Sequence, residues 1–125
     1  MPNLPQVLLT STGNVLEVTG DKLAGDGYYG HSDGLHTVAW VLNKFKGRIK
    51  VQATLAIDPV ESDWCDIDLD NSGAGYVDFT TAVTGTQNYN FTGNWVWVRA
   101  KVIRSHDPNL TILNSGVVSH VWYNY

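Results

Sequence analysis

Six acidic residues, Asp58, Glu61, Asp63, Asp66, Asp68 and Asp70, fall within thirteen positions. Asp66, Asp68 and Asp70, followed by Ser72, place oxygen donors at the spacing that opens a calcium loop. The pattern then departs from that loop. Its sixth position is Asn71, where the sharp turn calls for glycine, and its twelfth is Val77, where a bidentate glutamate belongs. The competing reading is a strand, 64–69, with Asp66 and Asp68 outward and Cys65, Ile67 and Leu69 inward. Asp66, Asp68 and Asp70 thus form a calcium candidate with two positions wrong. No other metal and no cofactor is expected.

Four histidines occur, His31, His36, His106 and His120, with no tight pair of the zinc type and no thiolate beside them. His36 and His120 fall on strand-like segments, where packing or hydrogen bonding is expected of them. His31 sits in a Gly/Asp-rich turn and is expected to be exposed. Cys65 is the one cysteine, so no internal disulfide forms. Its neighbours are acidic, whereas a reactive thiolate needs an electropositive setting. It reads as a small buried hydrophobe. There is no Gly-x-Ser-x-Gly elbow, phosphate loop or dinucleotide fingerprint. The expectation is that the chain is not an enzyme.

Aromatic residues offer recognition chemistry instead. In 94–104, Val96, Val98, Ala100 and Val102 make a core stripe, and Trp95, Trp97, Arg99, Lys101 and Ile103 make the opposite one. Two indoles on a face with two cations read in two ways. Arg or Lys stems can lie over the rings as cross-strand packing, or the face can contact sugar rings or another subunit. Trp122, on the closing strand-like segment, carries the same ambiguity. The turn at 27–34 adds Tyr28 and Tyr29 among small polar groups, a composition shared with adaptable recognition loops; its tyrosines could equally roof the end of a sandwich. Trp95, Trp97, Trp122, Tyr28 and Tyr29 are the candidate contact residues. Trp64 with Asp63 and Asp66 is an alternative sugar platform.

The elements that must position these groups all read as short strands. Residues 47–55 alternate: Ile49, Val51, Ala53 and Leu55 point one way, and Arg48, Lys50, Gln52 and Thr54 the other. Turn signals of Gly, Asn, Asp and Pro recur about every ten residues. The strand candidates are 6–10, 14–19, 35–43, 47–56, 64–69, 76–80, 87–92, 94–104 and 117–124. Both faces of 35–43 are fairly apolar, so that strand is expected to be central and covered on both sides. No segment has sustained helical periodicity. The prediction is an all-β, antiparallel β-sandwich of jelly-roll type with roughly eight or nine strands. One domain spans 1–125, with Pro2 and Pro5 marking 1–5 as an extended arm.

The chain has 125 residues, enough for one well-buried core. Charged residues make up 16%, below the roughly 25% of an average domain, and a charge-poor surface often faces a partner. The net charge of −4 argues against nucleic acid. The N-terminal residues lack the basic flank and apolar run of a signal peptide, and no membrane-spanning run is visible. A cytosolic site of synthesis is expected.

Several segments together carry a resemblance. Tyr28-Tyr29-Gly30-x-Ser32-Asp33-Gly34-Leu35-His36-Thr37-Val38 leads to Phe45-x-Gly47-x-Ile49-x-Val51-Gln52-Ala53-Thr54-Leu55. Pro59-x-Glu61-Ser62-Asp63-Trp64 and Phe91-Thr92-Gly93-Asn94-Trp95-Val96-Trp97-Val98-Arg99-Ala100-Lys101-Val102 follow. Over most of 28–102 the chain resembles small virion structural proteins and appendage domains of tailed bacteriophages, especially those infecting marine cyanobacteria. The resemblance implies a β-sandwich virion part assembled in the host cytoplasm. Its implied role is capsid decoration or another outer-surface component, docking on capsid or tail proteins as a homo-oligomer or at high copy number. The resemblance supplies no catalytic residue. The alternative is a carbohydrate-binding or host-receptor module of a tail or fibre, with a surface glycan as partner. Neither nucleic acid nor membrane is expected as a partner.

Overall fold

Period-two alternation dominates the chain, and strands are what it forms. The computed structural model describes residues 6–11, 15–29, 34–111 and 113–125, with the Tyr29 side chain outside that set. The expected 1–5 arm, His31 and the tip of the 27–34 turn lie outside the described residues. Among the described residues eight strands appear: β1 (Gln6–Leu9), β2 (Glu17–Thr19), β3 (Leu23–Ala24), β4 (Leu35–Thr54), β5 (Cys65–Asp66), β6 (Val77–Thr92), β7 (Trp97–Ile103) and β8 (Val117–Asn124). Short 3₁₀ turns occupy Asp26–Tyr29 and Glu61–Asp63. Among the described residues no helix is long and apolar enough to cross a membrane.

The strands form one antiparallel sheet in the order β1-β8-β4-β7-β2, nearly closed into a barrel. β3 adds to β7, while β5 and β6 add to β4. The two ends of the path approach each other beside Gly20, where a Cβ would meet the Leu8 carbonyl oxygen at 2.7 Å.

β4 organises the whole molecule. Its first half lies between β6 and β8, and its second half pairs with β7 and, on the other side, with the start of β6 and with β5. Two strands were expected where β4 runs unbroken for 20 residues. The turn expected between them is instead a bulge, with register shifts across Leu42, Phe45 and Gly47. Lys44 and Gly47 hold positive φ, 52° and 137°. Extra residues in a strand reverse which side chains face inward. Before the bulge His36, Val38, Trp40 and Leu42 are buried; after it Phe45, Ile49, Val51 and Ala53 are. The candidates 76–80 and 87–92 fuse in the same way into the 16-residue β6. In β8, a register shift beside Ser119 lets both Val118 and Val121 turn inward.

One core cluster takes side chains from both halves of β4, together with Leu8, Leu9, Val98, Val102 and Tyr123. Each such large side chain contributes about 1.5–3 kcal/mol by leaving water. Tyr123 ties the halves further through its hydroxyl, which donates to the Ala24 carbonyl at 3.1 Å. Burial, with smaller contributions from Tyr125 and Asp26, raises the Tyr123 phenol above its ordinary range.

Four expectations need correction. The 47–55 alternation ends at Ala53, since Thr54 is buried and Leu55 is exposed. Cys65 is exposed, because β5 is only two residues long and pairs on one side alone; Ile67 and Leu69 still reach the core. The first half of β4 is covered on one face only, with Leu35 51% exposed and Thr37, Ala39 and Val41 half-buried. β7 begins at Trp97, so the 94–104 strand loses its first residues, and Trp95 lies in the preceding loop.

Candidate functional site

The outer face of β7 and the second half of β4 carries the charges. Trp97, Arg99 and Lys101 stand directly opposite Thr54, Gln52 and Lys50. The Arg99 guanidinium lies over the Trp64 ring, 4.2 Å from its centroid. Its two terminal nitrogens donate to the Glu61 carboxylate at 3.2 and 2.9 Å, and its Nε donates to Gln52 Oε1 at 2.9 Å. Gln52 Nε2 in turn donates to Asp66 at 2.9 Å, and Lys50 donates to the same carboxylate at 3.2 Å. Lys101 pairs with Glu17 of β2 at 3.7 Å. Hydrogen bonding and charge from Arg99 hold the Glu61 carboxyl below its usual range. A bidentate fork stacked on an indole is the geometry for which arginine is suited.

Trp97 is equally occupied. Its Nε1 donates to the Ile57 carbonyl at 2.8 Å, Tyr28 tilts against it at 4.9 Å, and Lys22 Nζ lies 5.1 Å from its ring centroid. Between Asp21–Lys22, Pro59 and the Glu61–Arg99–Trp64 stack lies a groove of about 220 Å³. One wall is the Arg99–Glu61 ion pair, and Lys22 on the other wall lies beside the Trp97 ring.

Tyr28 reaches Trp97 because the chain before it is clamped. Gly25 and Gly27 donate to the carbonyls of Val96 and Trp95, both at 2.9 Å. A Cβ on Gly27 would lie 2.1 Å from the Asn94 carbonyl oxygen. Behind this clamp, the buried His36 accepts from Asp26 N–H at 3.2 Å and holds the Gly34 carbonyl at 3.0 Å through Nδ1. The Asp26 carboxylate accepts from Gly34 N–H at 3.0 Å, and the His36 ring stacks on Phe91 at 4.8 Å. His36 is therefore a structural pin.

The outer face of β1, β8, the first half of β4 and the second half of β6 is different. Cross-strand register sets Val7, Trp122, Ala39 and Asn88 in one row. His120, Val41 and Thr86 form the row on one side, and Asn124, Thr37 and Asn90 the row on the other. These rows hold no Asp, Glu, Lys or Arg. Trp122 is 44% exposed, with His120 edge-on to its ring at 5.0 Å. Val7 and Leu35 are also exposed. A shallow groove of about 390 Å³ runs past Leu35, Thr37, Asn124 and Tyr125.

The candidate residues thus separate. Trp97 and Tyr28 meet on the charged face, and Trp122 lies on the uncharged one. Trp95 packs against the core, donates from Nε1 to the Thr92 carbonyl at 3.1 Å, and joins neither face. The Tyr29 side chain lies outside the described residues.

Asp66, Asp68 and Asp70 have separate duties. Asp66 serves the Arg99 network, Asp68 accepts from Gly73 N–H at 3.0 Å, and Asp70 accepts from Ser72 N–H at 3.2 Å. Among the described residues no group of three or more His, Cys, Asp or Glu residues is placed to hold a metal. Asn71 does take the left-handed conformation, φ 62°, that its position in a calcium loop would demand. It does so within a turn held by Asx-type hydrogen bonds.

Sequence reasoning missed the Trp64–Arg99–Glu61 stack as a unit, and it missed the row through Val7 and Trp122. For the second, a signal was present: no formal charge occurs at 35, 37, 39 or 41, nor at 120, 122 or 124.

No family model matches the chain, and neither a curated protein nor a solved structure matches it.

Proposed function

We propose that this chain is a non-enzymatic structural protein that works by docking, as a capsid decoration or other outer-surface component of a tailed-phage particle. The observation that carries the reading is the uncharged face around Trp122. A half-exposed indole flanked by Val7 and Ala39, and rimmed by Asn and Thr, has the make-up of a docking centre with a polar rim. The two halves of the nearly closed barrel read as the two layers of a jelly-roll-like sandwich, which suits a rigid surface-mounted part. Partners are capsid or tail proteins, met in the host cytoplasm during assembly. The polar groups most capable of chemistry are engaged elsewhere, with Glu61 bound to Arg99, Asp66 bound to Gln52 and Lys50, and His36 buried under Phe91.

A second reading, a glycan-binding module, is favoured by the groove that runs past Leu35, Thr37, Asn124 and Tyr125. Its neutral lining of Thr37, Asn124 and Tyr125 suits hydroxyl groups. Immunogold labelling of purified particles, with wild-type and Trp122→Ala chains, tests the first reading. Labelling of the outer surface that Trp122→Ala abolishes supports it. A chain absent from particles but retained on a glycan array replaces it with the second.

A further inference from the structure

β6 is paired on one side only. It runs for 16 residues along β4, and among the described residues no other strand lies on its far edge. An unpaired edge of that length presents a row of backbone donors and acceptors, and proteins ordinarily blunt such edges with lysine, proline, bulging or brevity. Residues 79–92 contain no charged residue and no proline; the register against β4 is irregular between Phe79 and Gly85 and regular from Gly85 to Thr92. The first residues of β6 face the 106–110 loop across a cleft of about 280 Å³, which leaves 81–92 as the open stretch. Near its middle is Gly85, with φ 127°, where a Cβ would meet nothing within 4 Å. The backbone conformation accounts for the glycine, and the centre of the edge is left bare for a second backbone to approach.

We infer that this edge is occupied by a second copy of the chain, paired antiparallel about a two-fold axis near Thr86. The inference rests on the assembly reading above and names its first partner. An antiparallel edge is complementary to itself under a two-fold rotation, whatever its side chains. Self-pairing requires that like charges not meet, and this edge satisfies that. The nearest formal charge on β6 is Asp78. A two-fold axis near Thr86 sets each Asp78 roughly 50 Å from its mate, at a strand rise of about 3.3 Å per residue. An overlap of 81–92 yields about ten backbone hydrogen bonds, the number a standard interface carries. The joined sheet brings two Trp122 faces onto one surface, so one dimer docks through two sites and gains avidity over either alone.

The test is the mass of the whole chain in solution, by light scattering and sedimentation up to about 100 μM. Twice 13.8 kDa is expected for the wild type. The A82K/T86K/N88K variant alters three exposed positions, and it should sediment as a monomer with an unchanged far-ultraviolet spectrum. A wild type that stays monomeric overturns the inference, as does a dimer that the three lysines leave intact. The two readings fail separately. A monomer that still labels particles removes only the edge pairing, and a lysine-sensitive dimer that never labels them removes only the virion role.

Discussion

β4 passes through both halves of the barrel, presenting Leu35, Thr37, Ala39 and Val41 outward in the first and Arg48, Lys50 and Gln52 in the second. On the second half the outward charges of β4 and β7 find partners on β6, β5, β2 or the Glu61–Asp63 turn. The aromatic rings there lie under cations: Trp64 under Arg99, Tyr76 under Arg48 and Trp97 beside Lys22. On the first half, charge is absent from the rows and Trp122 is left half open. An indole covered by its own protein's guanidinium has spent its ring on stability. One that is open, with neutral polar neighbours, remains available to a partner. The contrast therefore assigns stability to the face richer in conspicuous residues, and the plainer one is the face on which the docking proposal rests.

The largest expected effect comes from the clamp that places Tyr28 on the charged face. Gly27→Ala puts a Cβ 2.1 Å from a backbone oxygen that no side-chain rotation can relieve. A loss of about 3 kcal/mol or more is expected in urea denaturation. The Tyr28 and Trp97 resonances should shift while those of Trp122 stay. Wild-type stability in this variant would remove the clamp from the account.

Next is a pair of substitutions that should cross. Trp122→Ala is expected to change folding stability by less than about 1 kcal/mol and to weaken docking on particles by about 2 kcal/mol, near thirtyfold. Trp97→Ala should lose about 1–2 kcal/mol of stability and dock normally. Equilibrium unfolding and a particle-binding isotherm read the two quantities. The reverse pattern would exchange the roles of the two faces.

How far this contrast could be read from the chain depends on the range of the contacts. Local alternation sufficed for the class of fold and for the inward stripes of β7 and of the second half of β4 as far as Ala53; in the first half it left two apolar faces with no choice between them. In the structure the bulge shows as a change of parity, with even positions inward at 36–42 and odd ones at 49–53. A turn and a bulge both reverse that parity, and Lys44-Phe45-Lys46-Gly47 resembles either one. Cys65 misled because alternation says nothing about whether a strand continues. The site was legible only as residue types. Arg99 covers Trp64, and not Trp97 two positions away on its own strand, because of how the 55–64 connection folds back, and no local pattern encodes that. Trp122 drew attention as an aromatic residue, but its surroundings come from four strands distant in sequence.

Arg99→Met sharpens the charged side of the comparison. The Arg99 side chain is nearly buried while its partner Glu61 remains 84% exposed. Glu61 is rehydrated at little cost when the pair breaks, so the loss is mainly the stacking on Trp64 and the bond to Gln52. About 1–2 kcal/mol is expected by thermal or urea unfolding. Arg99→Lys should recover little of it, because an ammonium can neither stack as a plane nor hold the carboxylate with two parallel bonds.

The smallest effect is electrostatic, and its sign follows from Glu61. A carboxyl whose folded pKa lies below its unfolded value contributes stability at pH values above the unfolded one, and that contribution disappears as pH falls through the folded value. Here Arg99 lowers the Glu61 value, first by hydrogen bonding and then by charge. The wild type should therefore lose a small increment of stability on acidification below the ordinary carboxylate range. Glu61→Gln, which keeps a hydrogen-bond acceptor without the charge, should flatten that part of the profile. A carboxyl-detected NMR titration gives the direct reading: the Glu61 midpoint should rise toward the ordinary range in Arg99→Met and stay put in Trp122→Ala. If Trp122→Ala moved it as well, the two faces would be coupled through β4, and stability and docking would no longer divide between them.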